Sequence, residues 1–396
     1  MGKSEFILWS SVTANPSLSP SKSEFEPLTS YNWLKTSRPT IAVPGHPAVW
    51  SPKPAGTKTR LLPDRGGNFI NENAARCETY PMEPLFRALE VSNPDFSFAT
   101  TSIITDRASL RRLLEFASGS RPSRIFAINV QRFGGVTMLF THTNTPRIRG
   151  GPGGYGEGFE KEFARWPQGL ENSSRHHRVI RYTFCGMEMI VRYEADVVIG
   201  EGEDHKVDED HDATDDQQAI SNMLSSLSIN TDSPKKQPSQ SINGSNFTVQ
   251  KLGKLVPNSH TAEMKTHAVG NKNFYKKMKA AYPQLWFSHT PNLIIGMHNN
   301  GVFEDVKVLD VRGKDSVRMS KENDGFVQWE NNNQHNLRKL RSLLSQICEI
   351  ATRRKEALIV SYVSKELLKV DPYPKRSWLP EDIIMWIGGG KGKDLV

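Results

Sequence analysis

Three acidic clusters stand in the middle of the chain at spacings that could gather a metal ion. Glu160 closes Gly156-Glu157-Gly158-Phe159-Glu160, Glu194-Ala195-Asp196 follows, and Glu263-Met264-Lys265 comes last. Residues two apart on a strand share a face, so Glu194 with Asp196, and Glu263 with Lys265, are able to point into one cleft. Hard divalent cations such as Mg²⁺ or Mn²⁺ take oxygen ligands, and a lysine beside them can hold or deprotonate an attacking water and steady a phosphate. The order E, ExD, ExK is thus the skeleton of a metal-dependent phosphodiester-cleaving enzyme. With 24% charged residues, an isolated ExD or ExK pair is usually a solvated strand face, so the flanking pattern must decide.

That pattern is a strand pattern. From Met187 to Ile199 the odd positions Met187, Met189, Val191, Tyr193, Ala195, Val197 and Ile199 are apolar, while the even ones include Glu188, Arg192, Glu194 and Asp196. This predicts a half-buried strand with an apolar back and a charged front. Val179 to Phe184 reads as its partner, with Cys185-Gly186 at the turn, and Ala262, Met264 and Thr266 alternate with Glu263 and Lys265 in the same way. Phe247 to Leu255, Thr261 to His267 and Leu293 to Met297 read as strands, and Asn299-Asn300-Gly301 as a hairpin turn into Val302 to Val311. Phe274 to Ala281 reads as a basic helix broken near Pro283. Gln334 to Arg354 puts Leu337, Leu340, Leu344, Ile347 and Ala351 on one stripe of an amphipathic helix, and Ala357 to Val363 follows as a strand. The class is α+β, one domain with a mixed sheet flanked by helices.

Six segments in order resemble the DXO-like RNA decapping and 5′-end surveillance nucleases, which have a PD-(D/E)XK-type core. Pro84-Leu85-Phe86-Arg87-Ala88-Leu89 with Pro94-Asp95-Phe96 is similar to the family's N-terminal segment. Asp106-Arg107-Ala108-Ser109-Leu110 falls at its arginine and short helix, and Phe126 to Val130 with Gly135 and Thr137 at its next strand pair. Gly156-x-x-Phe159-Glu160, Glu194-Ala195-Asp196 and Glu263-Met264-Lys265-Thr266 match its three acidic motifs. Gln284-Leu285-Trp286 through Pro291 to Gly296 and Asn300-Gly301 resembles the stretch that carries its active-site glutamine. Two departures stand out. The family has an aromatic before the arginine and Gly-His after it, so contacts near Arg107 are expected to differ. The stretch between the second and third acidic clusters is also longer than in the family.

The resemblance implies a hydrolase acting on RNA 5′ ends: decapping, pyrophosphate release, removal of an NAD-type cap, or 5′-3′ exonuclease cleavage. Glu160, Asp196 and Glu263 are then the main metal ligands, with Glu194 on a second ion or a metal-bound water and the Met264 carbonyl completing the shell. Two Mg²⁺ or Mn²⁺ ions are expected. Lys265 and Gln284 orient the attacking water and Arg107 holds a phosphate through its planar fork. The expected partners are RNA 5′ ends and a partner exoribonuclease, with no membrane. A competing reading is a catalytically weak RNA-binding scaffold of the same fold. A third, a prenyl-diphosphate synthase suggested by Asp212-x-x-Asp215-Asp216, needs two Asp-rich motifs on helices, and this run lacks helical periodicity.

Composition fits an intracellular protein, nuclear or cytoplasmic. No apolar stretch approaches the ~18 residues of a membrane span, and Cys77, Cys185 and Cys348 are too few and too scattered for a disulfide framework or a metal pattern. The net charge of +8 understates the basicity of the rest, because residues 201–216 set nine acids against Lys206. A basic surplus suits a polyanionic substrate. The organisation expected is a Ser/Pro-rich arm over 1–65, resting on the domain through Trp33 and Trp50, and a catalytic domain over 66–390. A disordered acidic insertion over 200–245 interrupts that domain, and a flexible tail covers 388–396. Gly150-Gly151-Pro152-Gly153-Gly154 reads as a hinge and His142, His176 and His177 as surface or hydrogen-bonding residues.

Overall fold

The alternation around the acidic clusters does build strands, and they divide between two mixed sheets. A computed structural model describes residues 3–66, 69–122, 124–142, 153–200, 240–241, 247–270, 274–313, 325–374 and 377–389. Numbered in chain order, the first sheet runs β1 (Glu5–Leu8), β19 (Leu367–Pro372), β18 (Leu358–Ser364), β7 (Ala127–Phe133), β8 (Val136–Thr141), β6 (Ile103–Asp106). It continues β11 (Met187–Glu194), β10 (Ser173–Phe184), β2 (Lys22–Leu34), β3 (Thr40–Gly45), β14 (Thr248–Gly253), β13 (Gln240–Ser241). The second runs β5 (Thr59–Arg60), β17 (Val302–Asp310), β16 (Asn292–Asn299), β15 (Thr261–Ala268), β12 (Val197–Val198), β4 (Ala48–Trp50), β9 (Ala164–Arg165).

Eight helices among the described residues cover these sheets: α1 (Glu72–Arg76), α2 (Glu83–Ser92), α3 (Arg107–Ala117), α4 (Gly156–Phe163), α5 (Phe274–Ser288), α6 (Phe326–Asn332), α7 (Gln334–Arg354) and α8 (Glu381–Ile387). The leucine stripe of α7 lies in one core with Leu110 and Leu113 of α3, Leu285 and Trp286 of α5, and Val130, Ile180 and Val191 of the first sheet. The other face of that sheet packs Ile104, Val179 and Ile190 against Leu85 and Phe86 of α2 and Ile383 of α8. The first sheet is therefore buried on both sides, which explains why Ile190 and Arg192 are buried on the supposed charged front of β11. Arg192 meets that burial by donating to the Pro81 carbonyl at 2.8 Å. Among the described residues no helix is long and apolar enough to cross a membrane.

Two expectations need correction. The segment read as an arm is part of the sheets: β2 pairs antiparallel with β10 from Ser173↔Leu34 to Phe184↔Lys22, and β4 pairs parallel with β12. Thr29 to Leu34 are all buried, so they show no alternation and vanish in the Ser/Pro-rich average. The domain accordingly begins before residue 66. The helix expected to break near Pro283 instead runs unbroken as α5. An internal proline costs roughly 3 kcal/mol, but Tyr282, Leu285, Trp286 and Phe287 around it are almost wholly buried, and their packing offsets the loss. The acidic insertion and the tail lie outside the described residues, apart from their margins and β13, which pairs with β14.

Both hairpin turns form as their residues dictate. Cys185 and Gly186 (φ 47° and 76°) join β10 to β11, and Asn300 and Gly301 (φ 46° and 83°) join β16 to β17; two successive positive φ values match the twist of the flanking strands. Asp106 matters most for the site. At the end of β6 it caps α3, its carboxylate accepting from Ser109 N at 2.7 Å and from Thr141 N of β8 at 2.9 Å. The cap aims Arg107, the next residue. Asp106→Ala removes the cap and leaves a backbone N–H of β8 without its partner, so it should cost about 2–3 kcal/mol. Denaturant midpoints at unchanged m-value measure this, and a change below about 0.5 kcal/mol would refute the cap's importance.

Candidate active site

The predicted residues converge where the chain crosses from one sheet to the other. β11 ends at Glu194, the Ala195 amide makes a last bond to the His176 carbonyl at 3.0 Å, and β12 starts at Val197 in the second sheet. Glu194 and Asp196 therefore do not share one continuous strand; they flank the crossing. β12 pairs with β15 (Val197↔Ala262), which brings Glu263, Met264 and Lys265 alongside. Here the face-sharing rule holds, with Lys265 Nζ 2.6 Å from Glu263 Oε1.

Glu263 is the hub, with its side chain almost wholly buried. Its Oε2 accepts from Arg107 at 2.9 Å, and with the Gln284 amide turned to satisfy both its ends, Gln284 donates to Glu263 Oε1 at 3.1 Å and accepts from Arg111 at 2.7 Å. Burial pushes the Glu263 carboxyl up, but the charges of Arg107 and Lys265 outweigh it and hold the group at about 2. The opposite happens nearby. Asp196 accepts from Met264 N at 2.7 Å, and burial together with the Glu263 charge pushes its carboxyl up to about 7. Burial, then Asp196, pushes Glu160 up to about 8. A strand residue's N–H and C=O lie on the same edge, so the Met264 carbonyl faces the Asp196 side.

Glu160 enters from α4, which is fixed from two directions. Asp64 accepts from the Glu157 and Gly158 amides at 3.2 and 2.9 Å, an acid at a helix N-terminus. Phe159, beside Glu160, is seated on β16 at Gly296, where an added Cβ would lie 2.5 Å from the ring. Arg107 is steadied as well, its guanidinium 5.5 Å from the centre of the Tyr193 ring.

Three contributors escaped the sequence reading. Arg111 stands one helical turn from Arg107 on α3, a spacing that signals a shared face. Asp64 lay in the supposed arm. Arg175 of β10 bonds Glu194 Oε1 and lies 3.9 Å from Glu160 and 4.0 Å from Glu157; the basic run Arg175-His176-His177-Arg178 facing the Glu194 strand was the available signal. His176 and His177 are buried rather than superficial, bonded to Asn32 at 2.6 Å and Asn73 at 3.3 Å. Beyond Gln284 opens a cavity of about 260 Å³ lined by Arg111, Lys265, His267, Phe274, Met278 and Gln284, among others.

As the side chains lie, no three His, Cys, Asp or Glu among the described residues are arranged to grip a metal ion. The reason is visible: Arg175 lies on Glu194, and Arg107 and Lys265 lie on Glu263. The donor set still fits a hard divalent cation in type, all oxygen, and in electrostatics, since Asp196 and Glu160 are held toward protonation by burial and by neighbouring negative charge that a cation would relieve.

The sequence signature of a family described as "Domain of unknown function (DUF8563)" matches residues 7–376. No curated protein matches the chain. Among solved structures it is similar to Candida albicans Rai1 in complex with pU5 and Mn²⁺, at TM-score 0.61 and 12% identity over 98% of this chain and 100% of that one. It is also similar to Scheffersomyces stipitis Rai1 with (3′-NADP)⁺ and calcium (0.59, 12%, 96% and 98%) and to S. pombe Rai1 with 3′-FADP (0.57, 13%, 94% and 100%). The resemblance read from six segments is thus borne out as a shared fold spanning nearly the whole chain.

The raised carboxyls set the sign of a pH effect. Glu160 and Asp196, ordinarily near 4.5 and 3.8, keep protons in the folded state up to about 8 and 7, so the folded state binds more protons than the unfolded one across that window and stability falls as pH rises. Glu263 acts oppositely, but its contribution is complete above its ordinary 4.5 and is lost only as pH falls toward about 2. With metal chelated, Tm should therefore decline between about pH 5.5 and 8, and Glu160→Gln should flatten the decline. An unchanged slope in that variant would refute the assignment.

Proposed function

We propose that this chain, which belongs to the DUF8563 family and has the fold of Rai1, is a divalent-metal-dependent hydrolase of RNA 5′ ends. The observation that carries the reading is the meeting of Glu160, Glu194, Asp196 and Glu263 with Lys265, Gln284 and Arg107 at one crossing between the sheets, brought there by α4, β11, β15, α5 and α3. The ligands seen in the similar Rai1 structures, an RNA with Mn²⁺ and dinucleotides, agree with it.

In this reading Glu160, Asp196, Glu263 and the Met264 carbonyl hold a divalent ion, with Glu194 toward a second ion or its water, and the metal supplies Lewis acidity for phosphoryl chemistry. The chain's own residues do the rest. Lys265 donates to a phosphoryl oxygen and Arg107 offers its fork to the adjoining phosphate. Gln284, pinned between Glu263 and Arg111, orients the attacking water. The recess beyond it, apolar at Phe274 and Met278 and polar at Arg111 and Lys265, suits a base or cap group joined to a phosphate chain. The alternative of a weakly catalytic RNA-binding scaffold draws on one observation, that basic side chains cover two of the carboxylates.

The deciding experiment incubates the protein with 5′-triphosphate, capped, NAD-capped and 5′-monophosphate RNAs plus Mg²⁺ or Mn²⁺ and identifies the products. Glu263→Gln should lower metal-dependent turnover at least about a hundredfold. Because the buried Glu263 carboxylate pairs with two half-buried cations, Arg107 and Lys265, the variant should also lose stability, so circular dichroism must first establish that it is folded. Wild-type turnover in a folded Glu263→Gln protein removes the site; RNA binding without any turnover by the wild type selects the scaffold.

A further inference from the structure

Arg175 is positioned as a cation among acids. On β10 it lies beyond the last β11 pair, His177↔Glu194, and its backbone is held by β2 at Arg175↔Trp33. Its guanidinium bonds Glu194 and lies within 4.0 Å of both Glu160 and Glu157, so its charged partners are carboxylates from two different elements. The side chain remains about a quarter exposed, 26% against 12% for Arg107. Arg107 is fixed by Glu263 and by the Tyr193 ring; Arg175, among the described residues, is held by its ion pairs. The cleft sets five carboxyls, Glu157, Glu160, Glu194, Asp196 and Glu263, against four cations, Arg107, Arg111, Arg175 and Lys265, so acids and cations are nearly matched in number. A single dication overturns that balance. Two positive groups cannot share Glu194 and Glu160 without repulsion, and Arg175 is the cation that lies on both, so it is the one that gives way.

We propose that Arg175 is a resident counter-ion that occupies the acidic cleft until a divalent cation displaces it, after which its fork turns to the phosphates of the substrate. It is a positioning residue, and the proposal rests on the metal-dependent reading above. The displacement has two consequences. In the absence of RNA, Arg175 competes with the metal and lowers its affinity. In the presence of metal, the freed guanidinium adds a bidentate phosphate contact that the sequence pattern did not assign.

The test uses the full chain and Mn²⁺ alone, by calorimetry and thermal shift, on wild type, Arg175→Gln and Arg175→Ala; the near-isosteric Gln covers the case in which Ala fails to fold. Both variants should bind Mn²⁺ about tenfold more tightly than wild type, melt lower without metal because the acids lose their counter-charge, and gain more in Tm when Mn²⁺ is added. With Ca²⁺ present, a 5′-monophosphate oligonucleotide should bind about tenfold more weakly to the variants. Equal or weaker Mn²⁺ binding in both variants overturns the counter-ion role. Unchanged oligonucleotide binding overturns the transfer to phosphate. Absence of Mn²⁺ binding in the wild type itself defeats the metal-dependent reading and this inference with it, whereas wild-type binding with unaltered variants defeats this inference alone.

Discussion

The arrangement depends on the cost of burying Glu263. An isolated carboxylate taken out of water is costly by several kcal/mol even after relaxation, and here that cost is met by Arg107 at 2.9 Å and Lys265 at 2.6 Å, one cation per oxygen. Arg107 reaches Glu263 only because Asp106 caps α3 at the end of β6. Lys265 reaches it only because both stand on one face of β15. Gln284 closes the third side and ties Glu263 to Arg111. Burial and then the charge of Glu263 push the Asp196 carboxyl up, and burial and then Asp196 push Glu160 up, against the opposing pull of Lys265 and Arg175. The same fixed geometry that keeps one acid charged sets that charge against its neighbours.

That division of charge reconciles two observations that otherwise conflict. Four carboxylates are gathered in one cleft, yet no three are arranged to grip an ion. A site with all its acids bare and pointing together would carry a severe repulsion in the metal-free protein. Laying arginines on some of them lowers that repulsion, at the expense of competition when the metal arrives. Stability of the empty protein and affinity for a cation therefore oppose each other through the same side chains.

How much of this was legible in the sequence follows from how local each signal is. The hairpin turns at Cys185-Gly186 and Asn300-Gly301 were readable because two adjacent residues determine them, and the leucine stripe of α7 because its period is contained in one helix. The acid and lysine positions were readable as a pattern. What hid was long-range. Residues 28–34 of β2 are buried throughout and the strand pairs with β10, far along the chain, so neither alternation nor a turn announced it. Arg175 becomes meaningful only once the register places it past His177↔Glu194. Pro283 misled because the packing of Tyr282, Trp286 and Phe287, which outweighs its cost, is tertiary. The strand break between Glu194 and Asp196 was likewise invisible, since it reflects the separation of two sheets rather than any residue at the break.

The N-terminal segment shows how far the site's support extends. β4 pairs with β12, the strand that follows Asp196, and with β9, the strand that follows α4. Trp50 of β4 stacks on Phe163 at 5.9 Å, and Asp64 holds the first turn of α4. Glu160 and Asp196 are thus indexed to each other through residues 48–64. A displacement of this segment would alter the spacing between two acids without changing either one. Residues first read as an arm resting on the domain are in this sense part of the apparatus that sets the geometry of the site, and the tolerance of a catalytic centre for errors of about 1 Å is small.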